Sequence, residues 1–159
     1  VTTPPDTVLV TALRRSRLII RPLTSNSQLL EVSFVMKSQT SASEINKILS
    51  QLSLLKKQVY ELDLSNCHLN DESVKIVSTL TMLSKLNLAN CELTDILIVP
   101  IKGIENLYWL NLSGNELTDN CLSTLKDIKS LKKLYMWQTK LSTEGLAQIP
   151  SLQSTGSQN

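Results

Sequence analysis

VYELDLSNCHL, residues 59–69, is answered by LSKLNLANCEL at 83–93, LYWLNLSGNEL at 107–117 and LKKLYMWQTKL at 131–141. Set one under another, they place paired apolar residues at Leu62/Leu64, Leu86/Leu88, Leu110/Leu112 and Leu134/Met136, each pair 24 residues after the last. Two further columns keep that register: Val59, Leu83, Leu107 and Leu131 before the pair, and Leu69, Leu93, Leu117 and Leu141 after it. In a strand, alternate side chains share a face, so the paired residues point one way and their neighbours the other. One such strand cannot shelter its apolar side, but strands stacked about 4.8 Å apart can. The expected result is a row of coils around one continuous interior.

The pattern, LxxLxLxx(N/C)xL, resembles the leucine-rich repeat, whose period runs from about 20 to 29 residues. The fold class it implies is α/β: a solenoid with a parallel sheet on its concave face, short helices on its convex face and an N-terminal cap of helix and strand. Repeats start near residues 29, 59, 83, 107 and 131. Cys67, Cys91, Asn115 and Thr139 fill the (N/C) column, where a small hydrogen-bonding group can satisfy turn backbone that would otherwise be buried unpaired. Next comes a second apolar series with a spacing of three: Val74, Val77, Leu80; Ile98, Ile101, Ile104; Leu122, Leu125, Ile128; Leu146, Ile149, Leu152. Each follows Asp71, Asp95, Asp119 or Thr143, expected as the caps of short α or 3₁₀ segments. Calcium also selects stacked carboxylates, but Thr143 interrupts the column, which capping tolerates and a metal site would not.

The rest of the chain supplies ends. Residues 1–29 read as the cap: Asp6 opens a helix of about ten residues with Val8, Leu9, Ala12 and Leu13 on one face, and RLIIRPL gives an edge strand stopped by Pro22. The repeats occupy 30–152. Their first member is degenerate, with Val32 and Phe34 in the places of Leu62 and Leu64. The interval from that pair to the next is 30 residues, which leaves room for a longer helix from about Ala42 to Lys56. Ser43 would cap it, and Ile45, Ile48, Leu49, Leu52 and Leu55 would be buried. The last residues, 153–159, have nothing to bury and are expected to be a disordered tail.

Composition narrows the chemistry. The 159 residues carry a net charge of +2 with 19% charged residues, and Lys and Arg are spread rather than massed, so the footprint of a nucleic-acid binder is missing. No run of 18 or more apolar residues suggests direct membrane insertion. The chain starts at Val1 without Met or a signal-type run, and reads as a piece of a longer protein. Of three cysteines, Cys67 and Cys91 stack in adjacent coils as buried thiols, with a disulfide left open, and Cys121 sits apart on the convex side. His68 follows Cys67 directly, a placement that sends the two side chains apart and gives no nucleophile and base pair. The four glycines form no phosphate loop. No enzyme, cofactor or metal is expected.

The segments ALRRSRLIIRPLTSNSQLLEVSFV, KKQVYELDLSNCHLND and above all LKKLYMWQTKLSTEGL resemble a group of large membrane proteins of Bacteroidetes and Planctomycetes. In these a membrane domain and a c-type cytochrome domain precede C-terminal leucine-rich repeats. The likeness spans roughly residues 10–150. It implies an extracytoplasmic domain, periplasmic or in the cell envelope, tethered to a haem-bearing protein. This chain has no CxxCH, so it binds no haem itself.

Function is then left to the outward strand residues, which form three columns: Glu61, Lys85, Trp109, Lys133; Asp63, Asn87, Asn111, Tyr135; and Ser65, Ala89, Ser113, Trp137. Three of the chain's six aromatic residues gather at the C-terminal end of this face, with Trp109 and Tyr135 expected about 7 to 8 Å apart. Exposed Trp and Tyr are what binding hot spots favour, and they also shield an open sheet edge. The preferred reading is a non-enzymatic domain that recognises a protein, with Trp109, Tyr135 and Trp137 as anchors and Asp63, Lys85, Asn87, Asn111 and Lys133 as polar contacts. Two alternatives stand beside it: a structural accessory contacting other domains of the same cytochrome protein, and carbohydrate binding through the aromatics.

Overall fold

The computed structural model describes residues 4–35 and 40–149, the side chain of Leu146 excepted. Its spine is one six-stranded sheet in simple chain order: β1 (Leu18–Pro22), β2 (Leu30–Phe34), β3 (Val59–Asp63), β4 (Lys85–Asn87), β5 (Trp109–Asn111) and β6 (Lys133–Tyr135). β1 runs antiparallel to β2, and every later neighbour is parallel. Leu62, Leu86, Leu110 and Leu134 pair in register across four strands, and all four are fully buried. From β3 to β6 the period of the sequence is thus the period of the sheet, whereas between β2 and β3 the register shifts at Leu30/Glu31.

On the other side lie α2 (Ala42–Leu52), α3 (Asp71–Val77), α4 (Leu122–Asp127), α5 (Thr143–Ala147) and 3₁₀ turns at Ser53–Leu55, Val99–Gly103 and Asp119–Cys121. The expected apolar triplets fill the space between them and the sheet: Val74, Val77, Leu80, Ile98, Ile101, Ile104, Leu122, Leu125 and Ile128 are all buried. Ile149 is buried too, whereas Leu152 and the tail at 153–159 lie outside the described residues. Pro100 stands at the start of the Val99–Gly103 turn, where its missing N–H suits the first residues of a helical segment.

The caps differ from expectation by one or two residues, and the Val99–Gly103 turn, expected to be capped by Asp95, has no side-chain cap. Asn70, not Asp71, caps α3, its side chain accepting from Ser73 N while Ser73 Oγ accepts from Asn70 N in a reciprocal box. Thr118, not Asp119, caps the 3₁₀ turn before α4, Ser142 Oγ accepts from Gly145 N ahead of α5, and Ser41 rather than Ser43 caps α2. The displaced carboxylates reach sideways instead. Asp95 accepts from the backbone and hydroxyl of Thr118, and Asp119 from those of Ser142, so each binds the cap residue of the following coil.

At the N-terminal end Asp6 caps α1 (Thr7–Arg15). The buried side of α1 carries Val10 and Leu13, with Leu9 half-covered. Val8, expected inside, is 77% exposed, and Ala12 is exposed as well. The Arg14 guanidinium donates to Ile20 O at 2.8 Å and ties α1 to β1. Among the described residues no helix is long and apolar enough to cross a membrane.

Candidate functional site

Nucleophilic chemistry has no purchase on the cysteines. Cys67, Cys91 and Cys121 are unbridged and buried. The Cys121 thiol is pushed up to about 12, first by burial and then by the charges of Asp95 and Asp119, which leaves almost no thiolate near neutrality. His68 is exposed and its Nδ1 lies 3.3 Å from Glu92 Oε1. Among the described residues no three His, Cys, Asp or Glu side chains cluster in a way that would hold a metal.

The (N/C) column shapes the turns that end the strands. Asn115, 3% exposed, accepts from Cys91 N and Leu93 N at 3.0 Å and donates to Leu88 O and Leu112 O at 2.8 Å. Its one amide therefore serves two coils. Cys91 Sγ bonds Leu64 O at 3.1 Å, a single link in the same direction, and Thr139 Oγ1 bonds Met136 O within its own coil. Just ahead of this column Asn66, Asn90, Gly114 and Gln138 all have positive φ, between 52° and 70°, so each of the four coils from β3 to β6 leaves the sheet through a left-handed residue. Gly114 suits that conformation and one thing more: a Cβ there would meet Asn90 Oδ1 at 1.9 Å.

Past these turns lies the concave face. Asp63, Asn87 and Asn111 stand at equivalent positions, and each accepts a hydrogen bond from the backbone N–H two residues on, Ser65, Ala89 and Ser113. Tyr135 takes that position in the last coil and has no such oxygen. Its ring packs on Trp109 with centroids 5.2 Å apart and planes at 45°, nearer than the 7 to 8 Å expected of diagonal neighbours on adjoining strands, a gap that aromatic side chains are long enough to close. Trp137 lies beyond β6 on the turn, 48% exposed, its backbone N–H donating to Ser113 Oγ.

Tyr108 is an exposed aromatic outside the three columns, at the position that Tyr60 holds in the β3 coil. It is 43% exposed, and Lys133 Nζ lies 5.9 Å from its ring centroid. The signal is in the sequence: LxxL leaves two residues between its leucines, and the columns take only the second. Glu31 and Ser33 were legible in the same way, since Val32 pairs with Leu62 and puts them beside Glu61 and Asp63.

These side chains bound two adjoining depressions. The first, about 160 Å³, is lined by Glu31, Glu61, Asp63, Lys85 and Trp109 among others. The second, about 320 Å³, is lined by Glu61, Lys85, Tyr108, Trp109 and Lys133. They share the Glu61–Lys85 ion pair, closed at 3.1 Å, and the Trp109 ring.

Comparison with known proteins agrees with this geometry. The Leucine Rich Repeat family matches residues 58–80 and 106–128, two stretches that begin two coils apart. The fold is a leucine-rich repeat solenoid. Among solved structures, an internalin (inlF) from Listeria monocytogenes is 24% identical over 70% of this chain, with a TM-score of 0.57. The chain spans 32% of that internalin. Internalin C2 from the same organism is 20% identical over 93% of this chain and 81% of its own, with a TM-score of 0.45. No curated protein matches the chain in sequence. Leucine-rich repeat solenoids present extended concave surfaces for binding, and such domains typically mediate protein–protein interaction without catalysis.

Proposed function

We propose that this solenoid is a recognition module that binds a protein through its concave face, anchored on Trp109, Tyr135 and Trp137 with Tyr108 beside them. The observation that carries this reading is the Trp109–Tyr135 ring pair, packed at a tilt on the solvent side of a sheet whose other side is fully packed. Large rings left on a surface, ordered against each other and rimmed by Lys85, Lys133, Asn87 and Asn111, supply contact area at little cost in side-chain entropy. Asp63, Asn87 and Asn111 also hold their own turns, so they serve the site as fixed walls. The setting we infer is the cell envelope, with the module carried by a larger membrane-bound protein of the cytochrome-containing group. The resemblance of the last repeat, LKKLYMWQTKLSTEGL, supports this placement.

Trp137→Ala is expected to weaken binding of the cognate protein by about 2 kcal/mol or more, read by calorimetry. Undiminished affinity in both Trp137→Ala and Trp109→Ala would remove the aromatic face from the interface. The coding sequence upstream of Val1 tests the setting: membrane helices and a CxxCH are expected there, and a cytosolic enzyme domain would refute it.

A further inference from the structure

KDIKSLKK, residues 126–133, runs from α4 into β6 with four lysines and one acid, Asp127. The same positions one coil earlier, 102–109, carry Lys102 and Glu105, which cancel. Two of the four lysines are already engaged: Lys126 Nζ donates to Gln148 Oε1 and Lys129 Nζ to Lys126 O. Lys132 and Lys133 are exposed, and among the described residues no carboxylate forms an ion pair with either, Glu105 and Asp127 included.

Their surroundings are aromatic. Lys133 is the register partner of Trp109, and its Nζ lies 5.9 Å from the Tyr108 ring centroid. Lys132 takes in the last coil the place that Tyr108 has in the coil before, and the backbone N–H groups of both lysines donate to Tyr108 O at 3.0 Å. Tyr108, Trp109 and Lys133 line the depression of about 320 Å³ together with Glu61 and Lys85. Those last two neutralise each other at 3.1 Å, so the charge left over in the lining is the ammonium of Lys133.

We propose that this corner binds an acidic stretch of a partner protein, with a carboxylate on Lys133, flanked by Lys132, and a large apolar side chain against Tyr108 and Trp109. This rests on the concave face being the recognition surface, and it names the chemistry recognised. Strand spacing sets the motif. Trp109 and Lys133 are one strand apart, about 4.8 Å, and alternate side chains of an extended segment are about 6.6 Å apart, so the acid and the apolar residue fall within two positions of each other. An ammonium held at a ring face and away from acids keeps its charge for an incoming carboxylate, and an apolar group seated beside it excludes water and strengthens that contact. Nucleic acid uses lysines and rings as well, but two open lysines at one corner of a chain of net charge +2 do not make the continuous basic groove that a phosphate backbone follows.

A displayed library of random peptides, selected in parallel on the whole chain and on its Lys133→Glu, Lys132→Gln and Trp109→Ala variants, tests this. On the wild type, peptides with Asp or Glu within two positions of a large apolar residue are expected to be enriched at least tenfold. Lys133→Glu should exchange the acid for a base, an inversion that damage to the fold does not produce. Lys132→Gln should weaken the preference for the acid, and Trp109→Ala should relax the apolar requirement while the acid is retained. Peptides enriched equally by wild type and Lys133→Glu would overturn the inference and leave the aromatic face as a protein-binding surface. Enrichment on none of the four proteins, or binding of a single-stranded oligothymidylate or a glycan array where no peptide is enriched, would overturn it together with the protein-binding reading.

Discussion

Asn115 shows how much one side chain can carry in a fold built by stacking. Its amide makes four hydrogen bonds of 2.8 to 3.0 Å to backbone groups of two coils, and an apolar replacement strands all four in the interior. Buried groups left unpaired cost about 1 to 3 kcal/mol each before relaxation. Asn115→Ala is expected to destabilise the protein by about 3 kcal/mol in urea unfolding, and Asn115→Cys by less, because a thiol can still reach the carbonyl of the coil before, as Cys91 does. A loss under about 1 kcal/mol for Asn115→Ala would mean that water replaces the amide. At this scale the sequence was readable wherever a residue answers to its own coil. Leu62, Leu86, Leu110 and Leu134 are inward by spacing alone, whereas Tyr108 was hidden because alternation allots one outward residue per step and the LxxL turn of backbone provides two.

Elements tell a similar story with a different failure. The strands and the buried triplets followed from periodicity, since both depend on which side faces the interior. The caps were displaced because Asn70, Thr118 and Ser142 each precede a residue that caps helices just as well in other contexts, and a single coil does not say which of two adjacent oxygens turns back. The stack decides. Asp95 and Asp119 are drawn to the hydroxyl and N–H of the next coil, information that exists only between coils. The face of α1 was ambiguous for the same reason, because TVLVTAL offers apolar residues on overlapping sides and β1 selects Val10 and Leu13.

The Asp119 link also makes a pH prediction. Hydrogen bonds from the Ser142 hydroxyl and backbone, outweighing a small effect of burial, hold the Asp119 carboxyl below its ordinary value of 3.8. A carboxylate lowered in the folded state contributes stability that is complete above its unfolded value and disappears as pH falls through the folded one. The last coil should therefore loosen as pH drops below about 3.8, and Asp119→Asn should lack that part of the acid response. Exposure keeps the effect small, so hydrogen exchange at Ser142 and Gly145 is the sensitive readout. Equal acid profiles in the two proteins would dismiss the link.

At the scale of the whole molecule, stability in a stacked fold is close to a sum of coil terms and contacts between neighbours. The first coil depends on α1 and β1 to cover Leu30, Val32 and Phe34, all buried. Deleting residues 1–22 should lower the urea midpoint and remove hydrogen-exchange protection in order, β2 first and then β3, while β5 keeps most of its own. Simultaneous loss along the whole sheet would instead reveal a single cooperative block.

The unbroken register of β3 to β6 has a consequence for how such a molecule could change its target. Duplicating one 24-residue unit between β3 and β4 would move Glu61 away from Lys133 by a single rung of about 4.8 Å and leave the local surroundings of both nearly as they were. Reach becomes a graduated quantity, adjustable by gene duplication in steps of roughly one and a half peptide residues, while the chemistry at either end is inherited intact.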